Sequence, residues 1–185
     1  MREIVPGICL AEPLGNADEM LARLEREVVV EDEIVDLGDG PVTMPRLTGW
    51  YGDPGAIYTY TGVTNHPRPW TPALAALRDQ LDAALATRLN SCLIGIYRDG
   101  ANAVDWHTDD EPELRDRIVS VSLGTTRTFQ LREGAAGTPF AVPLEHGSVL
   151  VMTVESQRSW QHAVPPEPAT GPRMNLTFRT IAPRA

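Results

Sequence analysis

The 185-residue chain has no lysine and only two cysteines, Cys9 and Cys92. The cysteines lie far apart and in no ligand-like spacing, which argues against a disulfide framework or a cysteine-bound zinc, so we interpret both as small buried residues. All 16 basic residues are arginines, and each can bind a carboxylate or phosphate through two parallel hydrogen bonds. Because 25 acidic residues leave a net charge of −9, tight and sequence-independent binding to duplex DNA is disfavoured.

Long apolar runs are also missing from the sequence. No run reaches the roughly 20 residues needed to cross a bilayer, and residues 1–4 lack the charged-then-apolar layout of a signal peptide. We therefore expect a soluble cytoplasmic protein that has no membrane partner. The length is that of one domain, large enough to bury its own core.

Hydrophobic spacing predicts two helices in the first half of the chain. The first covers residues 18–28, with Asn16 and Asp18 as possible caps. The second runs from Thr71, a predicted cap followed by proline, to about Thr87. Between them we expect a strand or hairpin with an acidic tip over residues 28–35, a turn-rich stretch over 38–55, and an alternating strand over 57–61 that places Tyr58 and Tyr60 on one face.

The second half of the chain reads as short strands separated by turn residues. Five strands are predicted, over residues 93–97, 118–123, 126–131, 148–153 and 175–181. Helices followed by a run of antiparallel strands indicate a mainly β protein of the α+β type. We expect a double-sheet jelly roll or barrel with the helices packed on one side.

The triplet His107-Thr108-Asp109 supplies the first half of a predicted metal site. In an extended strand, an imidazole and a carboxylate two residues apart project into the same space. The best third ligand is His162, because it lies between an apolar run and a strand-like run, whereas His146 precedes Gly147 in an apparent turn and should face solvent. Two histidines and one carboxylate leave positions open for substrate and dioxygen, as in mononuclear Fe(II) oxygenases. Zinc hydrolysis is the competing metal chemistry, but it usually recruits more histidine or cysteine.

A row of polar residues follows the predicted third ligand. Read as a strand, residues 173–179 place four polar side chains on one face: Arg173, Asn175, Thr177 and Arg179. Two guanidinium groups beside an amide and a hydroxyl suit a small dicarboxylate, since arginine binds a carboxylate through paired charge-assisted hydrogen bonds. The alternative is an ordinary exposed strand face with surface arginines, which does not explain the row's position just after a ligand histidine.

In order and spacing, these motifs resemble the AlkB family of Fe(II)- and 2-oxoglutarate-dependent dioxygenases, and most clearly its branch that repairs alkylated bases. The resemblance covers roughly residues 45–181 and rests on the motifs at Pro45-Arg46, Tyr51-Gly52-Asp53, Tyr58-x-Tyr60, Tyr97-Arg98-Asp99-Gly100, Trp106-His107-x-Asp109-Asp110-Glu111, Trp160-x-His162 and Arg173-x-Asn175-x-Thr177-x-Arg179. It implies a double-stranded β-helix (jelly-roll) core over residues 90–182 of a single domain, 1–185, with residues 1–70 as a substrate-recognition extension.

The resemblance also implies roles for individual residues. Fe(II) ligands would be His107, Asp109 and His162; the co-substrate 2-oxoglutarate would contact Tyr97, Arg173, Asn175, Thr177 and Arg179; and the modified base would contact Arg46, Tyr58, Tyr60, Asp110 and Glu111. Tyr58 and Tyr60 could equally be a packed sheet face. One departure stands out: Gly95 replaces the asparagine usual in relatives, so we expect one hydrogen bond to 2-oxoglutarate to be missing or replaced by water.

The activity implied by the resemblance is oxidative demethylation of alkylated bases in DNA or RNA. It uses Fe(II), 2-oxoglutarate and O2, releases formaldehyde, succinate and CO2, and needs a base that is flipped out or single-stranded. The negative net charge and the acidic residues 31–33 lead us to expect a preference for single strands, with no obligate protein partner. The alternatives are the same chemistry on a small metabolite or protein side chain, and a catalytically silent nucleic-acid-binding module.

Overall fold

The computed structural model describes residues 1–36, 40–60, 63–168 and 171–182. Within these ranges the chain forms two α-helices, Ala17–Glu27 (α1) and Pro72–Leu85 (α2), and a short 3-10 helix, Glu155–Arg158. The strands are Arg2–Val5 (β1), Ile8–Leu10 (β2), Glu31–Asp36 (β3), Pro41–Gly52 (β4), Tyr58–Tyr60 (β5), Val63–Asn65 (β6), Ser91–Tyr97 (β7), Val104–His107 (β8), Leu114–Gly124 (β9), Arg127–Glu133 (β10), Phe140–Leu144 (β11), Val149–Thr153 (β12), Trp160–Val164 (β13) and Arg173–Ile181 (β14).

Most of these strands belong to two antiparallel sheets. The larger sheet has the order β1-β2-β12-β9-β14-β7-β4-β3, the smaller has the order β11-β10-β13-β8, and β5 pairs with β6 in a separate hairpin. Strands distant in sequence are neighbours in space, as in a double-sheet jelly roll. The mainly β fold class with a jelly-roll core is therefore confirmed, and all five strands predicted for the second half of the chain are present.

The two helices pack against one face of the larger sheet. Their apolar stripes meet buried side chains of β7, β9 and β14 in one core cluster that includes Leu24, Leu77, Ile94 and Leu176. Thr71 caps α2 as predicted, since its hydroxyl accepts a hydrogen bond from Leu74 N at 3.3 Å. The helix predicted at residues 18–28 is α1, although the Asn16 side chain makes no capping hydrogen bond.

A second core fills the space between the two sheets. It is formed by apolar residues from β9, β10, β12 and β13, among them Ile118, Leu131 and Met152, together with Tyr97 of β7. The cavity that carries the candidate site opens within this layer, so most of its lining residues stand on strands, with Asp109 just after β8 as the exception. Strands hold side chains more precisely than loops do.

The stretch predicted to be rich in turns, residues 38–55, is instead dominated by the long strand β4. Prolines usually interrupt a strand because they cannot donate to the ladder. Here Pro45 lies where the β3–β4 register shifts, and the ladder with β7 starts only at Leu47, so the missing N–H group is tolerated. The prediction of an acidic hairpin tip within residues 28–35 is also wrong, because Glu31 and Asp32 form the start of strand β3.

Several short strands escaped the sequence analysis, including β1, β2, β8, β11 and β13. They have three to five residues each, too few to show an alternating pattern. The division into a substrate-recognition extension, residues 1–70, and a catalytic core, residues 90–182, stays a prediction. Strands from both parts belong to the larger sheet. Across the described ranges, no helix has the length and apolar content needed to span a membrane.

Candidate active site

The registers of the larger sheet bring the polar residues of β14 beside β7 and β9. Arg173 pairs with Tyr97, and Asn175 pairs with Gly95 on one side and with Ser122 on the other. Because side chains alternate between the two faces of a sheet, these residues all face the smaller sheet. The row predicted from the sequence is thus the floor of a cavity.

The two predicted ligand histidines stand on neighbouring strands of the smaller sheet. His162 of β13 pairs directly with His107 of β8, and their ring centroids are 4.2 Å apart. Asp109 follows β8 by two residues and turns its carboxylate toward both rings. One potential ligand atom from each residue lies within 4.8 Å of the other two, so the three predicted metal ligands converge.

Both histidines are held in a form suited to metal binding. The Nδ1 atom of His107 lies 2.7 Å from the carbonyl oxygen of Asp105, to which it donates, and this leaves the Nε2 lone pair facing the cluster. Burial, helped by the proximity of His107, lowers the pKa of His162 to about 3 and keeps its ring neutral. Phe129 stacks against His162 with a centroid distance of 5.2 Å and fixes the plane of the ring.

Asp109 is ionised and anchored on two sides. Burial alone would raise the pKa of Asp109, but the charge of Arg179 outweighs it and holds that pKa well below its ordinary value. Arg179 Nη2 donates to Asp109 Oδ2 at 2.9 Å. The Asp109 backbone N–H donates to Gln157 Oε1 at 3.1 Å. One carboxylate oxygen is thereby occupied by Arg179, and Oδ1 faces His107 at 3.8 Å.

These residues fit an Fe(II) ion of the two-histidine, one-carboxylate type. The donor set matches, the carboxylate is charged, both imidazoles offer a lone pair, and the hydrogen bonds behind them supply the outer support such ligands need. A zinc site built on more histidine or cysteine has no counterpart, because the described residues show no other His, Cys, Asp or Glu cluster that could hold a metal.

Next to the ligands, the cavity offers a place for a carboxylate. Arg173 is 2% exposed; its Nη2 donates to Ser122 Oγ at 2.9 Å and also to Asn175 Oδ1. Among the described atoms, Arg173 Nε and Nη1 and also Arg179 Nε are buried without a hydrogen-bond acceptor. Leaving buried charged donors unsatisfied is costly, so these atoms indicate an anionic ligand in the cavity. Asn175 Nδ2 donates to Thr177 Oγ1 at 2.8 Å and completes the row.

Tyr97 stands at the inner end of the same cavity. The guanidinium carbon of Arg173 lies 4.9 Å from the centre of its ring. Burial raises the pKa of the Tyr97 phenol, but the charges of Arg46 and Arg173 outweigh it, so the pKa lies below its ordinary value. All five residues predicted to contact 2-oxoglutarate, Tyr97, Arg173, Asn175, Thr177 and Arg179, line this one cavity.

The residues predicted to contact the base are less closely grouped. Tyr58 is 2% exposed, donates to Glu111 Oε1 at 2.6 Å, and stacks on Trp50 with a centroid distance of 4.8 Å. Burial raises the pKa of Glu111 above its ordinary value. Asp110 is exposed and does not line the cavity. The side chain of Tyr60 lies outside the described part of the chain.

Arg46, the fifth predicted base contact, lines the cavity but lies beside Tyr97 and Gly95. Its neighbours are therefore residues of the predicted 2-oxoglutarate site and not of the predicted base site.

The alternative third ligand considered from the sequence, His146, lies apart from the metal cluster. Its Nδ1 accepts from Gly124 N at 2.8 Å, and its Nε2 lies 3.2 Å from Asp18. It ties α1 to the end of β9 and does not simply face solvent.

Three residues of the site received no individual role from the sequence, although they lie within the motifs that resemble the AlkB family. Gln157, Phe129 and Ser122 support Asp109, His162 and Arg173 respectively. Ser122 lies on a strand that the sequence did predict, two residues from Ser120, so its alternation with apolar neighbours could have pointed to the cavity face. Gln157 lies in a short 3-10 helix whose contact with Asp109 spans 48 positions, which no local pattern reveals.

The model of the 2OG-Fe(II) oxygenase superfamily matches residues 16–179. Human DNA oxidative demethylase ALKBH2 is 36% identical over 181 residues, which cover 90% of this chain and 69% of that protein. The chain belongs to the AlkB family of 2OG-Fe(II) oxygenases. Another AlkB-family relative, mouse alpha-ketoglutarate-dependent dioxygenase alkB homolog 3, is 38% identical over 183 residues and 92% of this chain. The chain spans 63% of the length of that relative.

Solved structures support the same fold for this AlkB-family chain. The structure of OsALKBH1 has a TM-score of 0.63 and 20% identity, and the match covers 96% of this chain and all of that one. A 2OG-Fe(II) oxygenase family oxidoreductase from Burkholderia pseudomallei also has a TM-score of 0.63, with 13% identity, over 97% of this chain and 89% of its own. At these identities the likeness concerns the fold alone. The family description itself names the metal and the co-substrate, Fe(II) and 2-oxoglutarate.

Proposed function

We propose that this protein is an Fe(II)- and 2-oxoglutarate-dependent dioxygenase that oxidatively demethylates alkylated bases in DNA or RNA. The observation that carries the proposal is the convergence of His107, Asp109 and His162 in one cavity, beside the two buried arginines of β14. The expected products are formaldehyde, succinate and CO2. The names of two relatives support the proposal: alkB homolog 3 is named an alpha-ketoglutarate-dependent dioxygenase, and ALKBH2 a DNA oxidative demethylase.

When bound, Fe(II) with 2-oxoglutarate and O2 supplies the oxidation of an otherwise inert C–H bond. The chain supplies the surroundings. Arg179 keeps Asp109 ionised and oriented, and Gln157 holds the backbone of the same residue. Arg173 offers two unsatisfied buried donor atoms to the carboxylate end of the co-substrate. Buried strands around these groups exclude water from the reacting atoms.

We place the target base near Tyr58 and Glu111. A base inside a duplex cannot reach a buried centre, so it must be flipped out or come from a single strand. The Tyr58 ring, backed by Trp50, offers an aromatic surface for the base. Within the described structure, Glu111 Oε2 is buried with no hydrogen-bond partner. This oxygen can accept a hydrogen bond from the exocyclic amino group of adenine or cytosine.

We further propose that single strands are preferred over duplex. The net charge of −9 repels a polyanion at long range, and the duplex carries the higher charge density. The exposed edge strand β3 opens with Glu31, which is paired with Arg68 at 2.9 Å, and with Asp32, whose carboxylate adds negative charge on that edge of the sheet. Cytoplasmic location and independence from a protein partner stay predictions of the same proposal.

The test is demethylation of oligonucleotides that carry one N-methylated adenine or cytosine, in matched single-stranded and duplex forms. Formaldehyde and succinate should appear in equal amounts, and only when Fe(II), 2-oxoglutarate and O2 are all present. A clear preference for duplex would reject the single-strand proposal. Succinate formation with a metabolite extract or a protein substrate but with no methylated base would favour the same chemistry on another substrate class. Absence of any Fe(II)-dependent succinate would favour a silent binding module.

A further inference from the structure

Three residues form a row across neighbouring strands at the inner end of the cavity. Arg173 of β14 pairs with Tyr97 of β7. On the other side of β7, the pairing of Leu47 with Ile96 sets Arg46 of β4 beside Tyr97. Arg46 is 9% exposed and Arg173 is 2% exposed, so one phenol is flanked by two buried guanidinium groups. Both positive charges act on the Tyr97 phenol.

Gly95 makes room for Arg46 in this position. A Cβ atom at Gly95 would lie 3.3 Å from Cδ of Arg46, closer than most contacts of this kind, so a larger residue would push the arginine stem away. Gly95 also pairs with Asn175, which places it under the centre of the polar row. The presence of glycine at position 95, where the resemblance leads us to expect asparagine, is thus coupled to the location of Arg46.

Arg46 is remote from the part of the cavity assigned to the base. Along β4 it lies four residues before Trp50, the residue that stacks on Tyr58. At the rise of an extended strand, four residues correspond to about 13 Å between backbone positions. The Arg46 side chain instead lies against Gly95 and Tyr97, at the end where Arg173 holds its unsatisfied donors.

We propose that Arg46 contacts the co-substrate and not the base, and that Arg46 and Arg173 together clamp the far carboxylate of a 2-oxo dicarboxylic acid. The inference rests on the proposed co-substrate pocket and deepens it. Burying a second carboxylate is favourable only when charge and hydrogen bonds compensate for lost water, and two guanidinium groups supply both. On this reading, Gly95 does not cost a hydrogen bond, because it admits an arginine in place of an amide.

The first experiment separates the two assignments of Arg46. It measures calorimetric binding of N-oxalylglycine to Mn(II)-loaded protein, together with KM for 2-oxoglutarate and for a methylated oligonucleotide. Arg46→Gln should weaken N-oxalylglycine binding by at least about tenfold, the effect of losing one charge-assisted hydrogen bond, with the oligonucleotide KM unchanged. Arg46→Lys should restore part of the loss, and Arg117→Gln, at an exposed ion pair with Asp116, should change neither quantity.

The opposite pattern for Arg46→Gln, a raised oligonucleotide KM with unchanged N-oxalylglycine affinity, would overturn the inference and return Arg46 to the base. Arg173→Gln distinguishes this failure from a deeper one. If Arg173→Gln also leaves N-oxalylglycine affinity unchanged, the co-substrate pocket in the proposed function is itself wrong. If only Arg173→Gln weakens binding, the pocket stands and the two-arginine clamp does not.

The second experiment uses Gly95→Asn, which installs the asparagine that the family resemblance leads us to expect at this position. If Gly95 costs a hydrogen bond to the co-substrate, as the sequence alone predicts, this variant should bind N-oxalylglycine more tightly than the parent does. Displacement of Arg46 requires weaker binding, and Gly95→Ala should show the same direction with a smaller change. Unchanged or tighter binding overturns the inference. Equal Mn(II) affinity and equal thermal midpoints in the variant and the parent show that fold and ligand cluster are intact.

Discussion

Strands β7 and β14 present two unlike faces on the same stretch of backbone. Toward the smaller sheet they carry Tyr97, Arg173 and the polar row that follows it. Toward helices α1 and α2 they carry Ile94 and Leu176, both fully buried in the core cluster under the helices. One face holds the candidate chemistry and the other holds the fold together. The division follows from the alternation of side chains along a strand.

The comparison shows why two buried arginines are tolerated here. Taking a guanidinium group out of water is costly, and partners recover only part of that cost. Arg179 is compensated by Asp109 at 2.9 Å, whereas Arg173 keeps two buried donor atoms without an acceptor in the described structure. The apolar face carries no such cost and stabilises the strands from behind. Substitutions on the two faces should therefore have different consequences, for turnover on one and for stability on the other.

Asp109→Asn should abolish most turnover while leaving the fold intact. The amide keeps the shape of the carboxylate but loses its charge for the metal and for Arg179. We expect kcat/KM to fall by at least about 1000-fold, or about 4 kcal/mol of transition-state stabilisation. Formaldehyde release measures the loss. Asp116→Asn, at an exposed carboxylate, is the matched control, and comparable activity of the two variants would contradict the role of Asp109.

Leu176→Ala should show the reverse pattern. Its side chain is fully buried under the helices, and truncation of such a leucine costs about 2–5 kcal/mol of unfolding free energy. Urea unfolding measures this loss, and kcat at a temperature where the variant is folded should stay near the parent value. Ile34→Ala, at an exposed side chain, should change stability little. A variant that loses activity but no stability would break the division between the faces.

Acid should destabilise the metal-free protein through His162. Its pKa is lowered to about 3 in the folded state, so between that value and the ordinary 6.5 the unfolded chain binds more protons. Stability therefore falls as pH decreases, and the change from pH 7 to 5.5 amounts to about 1 kcal/mol from this residue. Urea unfolding at both pH values should show a smaller drop for His162→Gln, whereas His66→Gln, at an exposed position, should behave like the parent.

Thr177→Val should give the smallest effect. The valine keeps the shape but removes the hydroxyl that accepts a hydrogen bond from Asn175 at 2.8 Å. A lost hydrogen bond of this kind is worth about 1 kcal/mol, which predicts a rise in KM for 2-oxoglutarate of about fivefold. Steady-state succinate formation checks it, with Thr43→Val on an exposed face of β4 as control. An unchanged KM for 2-oxoglutarate would show that the Thr177 hydroxyl does not contribute to binding of the co-substrate.

The parts of the structure that were predictable are those encoded locally. Helix α2 has a cap, a first-turn proline and a leucine stripe within one window, and β14 alternates polar and apolar residues over its whole length. His107 and Asp109 stand two residues apart, so their convergence followed from strand geometry, and only His162 had to be chosen among distant residues.

The parts that could not be predicted depend on contacts between distant segments. Strand β4 contains two prolines and two glycines, which disfavour a strand, and only its ladders with β3 and β7 make it a strand. Arg46 is separated from Tyr97 by 51 positions, and the register of β4 against β7 brings them together. Local propensity is a weak guide where pairing decides the conformation.

The protonation of the ligand cluster has a consequence for how a cation enters. At neutral pH Asp109 is ionised and His162 is neutral, so neither ligand has to release a proton when a cation binds. Competition among divalent ions at these two ligands then depends on bond preference and coordination geometry. Asp109 and His162 are thus in their metal-binding protonation states before a cation binds.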